Sequence, residues 1–256
     1  MFIGSLIKHP FRYFKRLCDL IKFKRDSNYL RFFKNTHKGQ RCFIIGNGPS
    51  LRIQDLEKIK NEISYGTHGI YEIFDKTSWR PNYYLAQDYT LIYKKKKEIE
   101  TIDIENKLLA IPIGRKIIRI KGARYIKMFF EEFYPQLPKF SDNIENGIYE
   151  GYTVSYMCLQ VAAYMGFKEI YLLGVDHSYS TELDENGNLL KNENVRDHFS
   201  DNDKIENVPQ TFKSALAYQA AKEYAEKHGI KIYNATRGGK LEVFERKTLE
   251  EVLGIE

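Results

Sequence analysis

The sequence predicts an α/β protein built on a mostly parallel sheet flanked by helices, and three observations carry that reading. Short apolar runs of strand length recur along the chain and alternate with stretches whose apolar residues fall at helical spacing. A glycine-containing turn follows the first of these runs and leads into a helical pattern. A small-residue helix between Gly151 and Gly166 runs straight into the clearest strand of the chain, Lys168–Gly174.

Taken in order, Arg41-Cys-Phe-Ile-Ile-Gly46 reads as a buried strand, and Asn47-Gly48-Pro49-Ser50 as the turn after it. Leu51, Leu56 and Ile59 give the next helical period, with Ser50 as its N-cap. Ile63–Gly66 and Tyr83–Ala86 are further short strands, and Leu108–Ile113 and Arg124–Met128 are weaker ones. Residues 177–208 are polar and show no convincing apolar period. A loop of that length inside a compact domain reads as a lid over a site or a mobile segment. Thr211–His228 is a helix closed by Gly229, Ile230–Tyr233 a last strand, and Lys247–Leu253 a terminal helix. The arrangement is Rossmann-like, and ligands of such sheets bind beyond the carboxyl ends of the strands. Asn47, His68, Asp88 and Asp176 would gather there with the lid.

Composition narrows the function. In 256 residues, 43% apolar and 29% charged, no apolar run approaches the roughly 20 needed to span a bilayer. Cys18, Cys42 and Cys158 are dispersed, so neither a disulfide framework nor a zinc knuckle is expected, and a reducing, cytoplasmic setting is the simplest reading. The +6 net charge is local. Residues 1–35 hold nine Lys/Arg against two acids, whereas the remaining 221 residues carry 31 basic and 32 acidic groups. A basic head on a neutral body is not a nucleic-acid binder.

That head divides the chain into a segment over 1–35 and a catalytic domain over 36–256, with the lid at about 177–208. Within 1–25, Phe11, Phe14, Leu17, Leu20 and Ile21 form an apolar stripe among Lys and Arg, after a Pro10 that starts or kinks the helix. Such a helix suits the anionic inner face of a cell membrane; a surface helix packed on the body, or a dimer contact, is the competing reading. A signal peptide fits poorly, because charges interrupt every apolar stretch.

Several motifs carry chemistry. The Gly46–Ser50 turn offers backbone amides to a phosphate, yet lacks the Walker lysine and the third glycine of a dinucleotide fingerprint, so a plain tight turn competes. His198 in the lid has the residue type for general acid–base work at neutral pH, with Asp197 placed to orient it; a solvated histidine is the alternative, and His177 a rival. Asp201-Asn-Asp203 has the form of a metal-binding DxD but sits in an Asn/Asp-rich loop, where a solvated turn is expected. Tyr149, Tyr152, Tyr156 and Tyr171 read mainly as packing, and Tyr179 as packing or a phosphate donor. Lys94–Lys97 reads as a solvated helix face.

GNGPSL after a strand, SYMCLQVAAYMGFKEIYLLGVDHSY in the middle and YNATRGGKLEVFER near the end resemble the MptE-like family over about residues 40–250. That family includes motility-associated-factor proteins and archaeal 6-hydroxymethylpterin diphosphokinases. The first two motifs also look like the bacterial sialyltransferases of glycosyltransferase family 42, more loosely and over about 40–235. The second resemblance implies donor contacts from Asn47 and from Gly48, Pro49 and Ser50. It also implies Thr153 or Ser155 near the donor carboxylate, Gly174, Val175 and Asp176 along the nucleotide, and Tyr179 on the phosphate. His198 would be the base. Two positions depart from it: His68 and Asp88 stand where asparagines are expected. Both alter how a ribose or base is held.

The resulting expectation is an inverting glycosyltransferase of bacterial surface-glycan assembly. It would use a nucleotide-activated donor, with a CMP-linked, sialic-acid-like sugar as one candidate, and a saccharide acceptor that could be lipid-linked. No metal or other cofactor is required on this reading. A pyrophosphokinase acting with ATP and Mg²⁺ on a pterin-like alcohol, with Asp88, Asp176 or Asp201 and Asp203 on the metal, is the alternative. A non-enzymatic binding module is the third. The sequence leaves a homo-oligomer open.

Overall fold

The computed structural model describes residues 10–199 and 207–255; residues 1–9 of the basic head and the Asp201–Asp203 motif lie outside the described residues. Helix α1 spans Pro10–Leu30 and ends in a 3-10 turn, Arg31–Phe33. Then follow β1 (Arg41–Ile45), α2 (Ile53–Lys58), β2 (Ser64–Thr67), β3 (Tyr83–Ala86), α3 (Tyr89–Lys94), α4 (Lys96–Thr101), β4 (Asn106–Pro112), β5 (Ala123–Phe129) and β6 (Ile148–Tyr149). The second half holds α5 (Val154–Tyr164), β7 (Glu169–Leu173), β8 (Thr181–Leu183), β9 (Leu189–Lys191), α6 (Thr211–Lys227), β10 (Lys231–Asn234), β11 (Glu245–Arg246) and α7 (Leu249–Leu253).

Nine strands form one parallel sheet in the order β11-β10-β7-β1-β2-β3-β4-β5-β6. Both faces are covered, which is why its strands read as apolar runs rather than alternating ones. Successive residues still point to opposite faces. Cys42 and Ile44 of β1 join the core beneath α5 and α6, while Phe43 and Ile45 join the core that includes Phe23, Trp79 and Leu249. From β1 the chain progresses outward through β2 to β6, then returns to lay β7 on the other side of β1 and continues to β10. The connections after β1 and β7 therefore leave in opposite directions. A crevice opens at that switch point, at the carboxyl ends of the two strands.

Two expectations change, and the packing of helix α1 is defined. Helix α2 begins at Ile53 with Arg52 in the N-cap position and no side-chain cap. Ser50 is thus not the cap; its hydroxyl donates to Asp176 Oδ2 at 2.7 Å. Residues 177–208 contain an antiparallel hairpin of β8 and β9, whose turn is tied by Asp184 accepting from Asn186 and Asn188 amides. Leu189 and Leu190 there are exposed, so the hairpin leaves no apolar period for the sequence to display. Helix α1 packs on the body through Asp19, Phe23, Asp26 and Leu30. Asp26 accepts from the Tyr125 amide of β5 and pairs with Lys22, and Asp19 accepts from the Ile117 amide and Arg119. No described helix is long and apolar enough to cross a membrane.

Candidate functional site

A cavity of about 550 Å³ occupies the crevice, walled by the turns after β1, β2, β3 and β7, by the start of α5 and by residues 177–179, 197–198 and 207–210. It brings together Asn47, Gly48, His68, Asp88, Thr153 and Ser155, and with them Gly174, Val175, Asp176, Tyr179 and His198. Pro49 and Ser50 stand outside its lining.

The turn after β1 is set by close backbone contact with β7. The Gly46 amide donates to the Leu173 carbonyl at 2.8 Å and the Gly48 amide to the Gly174 carbonyl at 2.9 Å. A Cβ on Gly46 would lie 2.4 Å from the Gly174 oxygen, and one on Gly48 would lie 1.8 Å from Asp176 Oδ2. Glycine is required at both positions for this approach. The same contacts correct the expected phosphate cradle. The Gly48 amide is engaged by Gly174, Pro49 has no N–H, and the Ser50 amide and hydroxyl both donate to Asp176. These donors fix β1 to β7 and do not face the cavity.

Asn47 does face it. Its side-chain nitrogen donates to the Thr67 carbonyl at 3.0 Å, which leaves Oδ1 buried without a partner. Gln87, just beyond β3, presents a second buried acceptor without a partner, Oε1. The two residues are only 9% and 7% exposed, so each orphaned oxygen carries a desolvation cost of about 1–3 kcal/mol until a donor reaches it. The backbone amide of Gln87 meets Nε2 of His68, the residue after β2, at 3.4 Å.

His68 follows β2 with φ +43, a left-handed conformation rare outside glycine. Its imidazole is buried, and burial lowers its pKa to about 4, opposed by Asp88 and reinforced by His198. The ring is therefore neutral near pH 7. Asp88 caps α3 by accepting from the Thr90 and Leu91 amides through Oδ1, while Oδ2 accepts from Asn207 at 2.9 Å. Thr153 caps α5, accepting from the Ser155 amide, and its hydroxyl meets Tyr218 at 3.2 Å.

Beyond β7, burial raises the Asp176 carboxyl above its usual range against the Ser50 donors, and pushes the Tyr179 hydroxyl up so that it stays protonated. His177, the rival base, has φ +53, and burial lowers its pKa; its ring lies against Tyr218 and 3.5 Å from the Ser214 hydroxyl. Asp197, placed beside His198 in sequence, serves Ser180 in the structure. Its carboxylate accepts from the Ser180 amide at 2.6 Å and hydroxyl at 2.7 Å, pinning the base of the hairpin. Next to His198, the Phe199 amide donates to the Asn47 carbonyl at 2.9 Å.

Sequence reasoning missed Glu150. Its carboxyl lines the cavity, and burial raises its pKa to about 7, opposed by the Tyr152 amide at 2.6 Å and by Lys213. No local pattern marks it, because the effect depends on chain brought in from elsewhere. Of the tyrosine cluster only Tyr152 and Tyr179 reach the cavity. Tyr156 donates to the Lys139 carbonyl, and Tyr171 stacks between Phe43 and Tyr233. The described lining contains four acids (Asp88, Glu150, Asp176, Asp197) and no Lys or Arg.

A parallel sheet with a cavity at its switch point defines a Rossmann-like α/β protein. More specifically, the chain belongs to the MptE-like family: the family described as 6-hydroxymethylpterin diphosphokinase MptE-like matches residues 15–182, a span that ends before His198. Among solved structures, the MAf glycosyltransferase from Magnetospirillum magneticum AMB-1 is similar, with a TM-score of 0.49 at 17% identity. That similarity covers 90% of this chain and 38% of the other, so the chain spans little more than a third of that protein's length. No curated protein matches the chain.

Proposed function

We propose that the protein is a glycosyltransferase that binds a nucleotide-activated sugar in this cavity and passes the sugar to a saccharide hydroxyl. The observation that supports the reading is the presence of two buried acceptors without a hydrogen-bond partner, Asn47 Oδ1 and Gln87 Oε1, on residues that line the cavity. They call for a ligand rich in O–H or N–H donors at that place, which a ribose or an aminated base supplies. The charge of the wall supports a donor of low charge. Among the described residues the lining holds four acids and no Lys or Arg, which favours a single phosphodiester, as in a CMP-sugar, over a diphosphate.

On this reading His198 removes the proton from the acceptor hydroxyl. The acceptor oxygen bonds to the anomeric carbon from the face opposite the phosphate, the bond to the phosphate oxygen breaks, and the configuration inverts. The protonated Tyr179 hydroxyl donates to the departing phosphate, a role the engaged amides of Gly48 and Ser50 cannot take. General-base catalysis of this kind is worth about 10²–10⁴-fold. No metal enters the scheme.

The family description favours a second reading, diphosphate transfer from ATP to a pterin-like alcohol with Mg²⁺. Asp88 or Asp176 would then meet the ion, although no group of three or more His, Cys, Asp or Glu able to hold a metal occurs among the described residues. The two separate in a thermal-shift panel of CMP, CDP, UDP, GDP and ATP, each with and without Mg²⁺. Ligand at 100 times its dissociation constant adds about 2.7 kcal/mol, or about 5–11 °C for a chain of this size. A shift by CMP or CDP without metal is the expected result. A shift by ATP only with Mg²⁺ would move the assignment to the kinase, and silence throughout would refute both. His198→Ala should keep the nucleotide shift and lose turnover; turnover near wild type would refute the base assignment.

A further inference from the structure

Helix α1 has two apolar faces, and the fold covers only one. At 100° per residue, Asp19, Phe23, Asp26 and Leu30 share the side that packs on β5 and its preceding loop. Leu17, Leu20 and Ile21 fall on the opposite side and are 54%, 57% and 59% exposed. Three large aliphatic side chains at i, i+3 and i+4 form a continuous stripe facing solvent. Exposed Arg16, Lys24 and Arg25 border it. Isolated surface leucines are ordinary, but an apolar stripe rimmed by charge marks a contact surface.

We propose that α1 docks the protein onto an anionic lipid surface through Leu17, Leu20 and Ile21, with Arg16, Lys24 and Arg25 on the headgroups. Charge selects this occupant. Residues 1–35 carry a net +7 in a chain whose remaining 221 residues are nearly neutral. A second copy of the chain would meet this stripe through a self-complementary contact, bringing two such heads together against their mutual repulsion. An anionic leaflet instead attracts each cation while the aliphatic side chains enter the acyl boundary. The inward anchors Asp19 and Asp26 fix the rotation of the helix, so the stripe faces outward whether or not lipid is present. This surface does not depend on what the cavity transfers.

Flotation of the full chain with phosphatidylcholine vesicles, with and without about 30% phosphatidylglycerol, tests it. The protein should float with the anionic vesicles and remain below with phosphatidylcholine alone, and added salt should weaken the association. Combining Leu17→Ser, Leu20→Ser and Ile21→Ser should cut partitioning about a hundredfold. The melting temperature should stay unchanged, because these side chains support no core. The charge pair Lys24→Glu and Arg25→Glu should lower partitioning without touching the stripe. Failure of the wild type to float, or flotation of the serine variant like the wild type, would overturn the proposal. So would light scattering that shows a dimer abolished by the serine variant.

Discussion

Replacing Glu150 with glutamine isolates the cost of placing a carboxylate in the cavity wall. In the folded protein burial moves this group from 4.5 to about 7. That displacement corresponds to about 3 kcal/mol of disfavoured ionisation, at 1.36 kcal/mol per pKa unit. Below pH 4.5 the carboxyl is protonated in folded and unfolded chains alike, and the penalty is absent. As pH rises through 7 the unfolded chain ionises freely while the folded chain must ionise against burial, so stability is lost across that window. Glutamine is neutral throughout and still offers an oxygen to the Tyr152 amide. Glu150→Gln should therefore match the wild type at low pH and exceed it at about pH 8 by up to ~3 kcal/mol, or ~6–12 °C in Tm. Thermal unfolding of both proteins across pH measures the difference directly. A Tm difference that does not change with pH, or a variant less stable at pH 8, would refute the burial argument. The same variant probes chemistry, since a carboxyl that titrates near neutrality inside a cavity is placed to exchange protons. A kcat that falls while the nucleotide shift persists would add Glu150 to the acid–base machinery.

His68 has the opposite sign. Its pKa is depressed from 6.5 to about 4, so its contribution to stability is present above pH 6.5 and lost as pH falls toward 4. His68→Gln should flatten the acid limb of the stability curve by about 3 kcal/mol, read as a smaller fall in Tm between about pH 6.5 and 4. Gly48→Ala should destabilise the fold by at least about 1–3 kcal/mol and abolish nucleotide binding, because its Cβ would overlap the Asp176 carboxylate. A Gly48→Ala protein with wild-type Tm and binding would show that the turn is looser than the Gly48–Gly174 hydrogen bond implies.

Legibility followed how local each cause is. Strands β1, β3 and β7 and helices α5 and α6 could be read directly, because a buried parallel strand is a short apolar run and a buried helix a longer one. The cavity's position followed from the strand ends, since the first turn, His68, Asp88 and Asp176 each come one or a few residues after a strand. The two-residue strands β6 and β11 had no pattern to display, and β8 and β9 expose their side chains. The errors within the site are tertiary. Ser50 has the residue type of an N-cap, yet Asp176 offers it a closer acceptor from a strand 126 positions away. Asp197 sits beside His198 in sequence and serves Ser180 in space. The acidity of Glu150 depends on packing that no single segment carries.

The hydrogen bonds that spoil the expected phosphate cradle also explain how His198 can work from a long polar segment. That segment is fastened to the strand ends at two points: the Phe199 amide donates to the Asn47 carbonyl, and Asn207 donates to Asp88 at the end of β3, while Asp197 ties Ser180 within the segment. His198 thus lies between two anchors of its own segment, one of them the backbone of the residue whose side chain awaits a ligand. A donor that reaches Asn47 Oδ1 fixes the Asn47 side chain, and the Asn47 carbonyl is the acceptor that sets the position of Phe199 and hence of the base. Binding and base placement therefore share one residue. Asn47→Ala removes the side chain that awaits the ligand but keeps the backbone carbonyl that holds Phe199, so KM should worsen while kcat is largely retained. His198→Ala should lower kcat alone. If Asn47→Ala lowers kcat as far as His198→Ala does, the Asn47 side chain itself places the base and the backbone contact to Phe199 does not suffice.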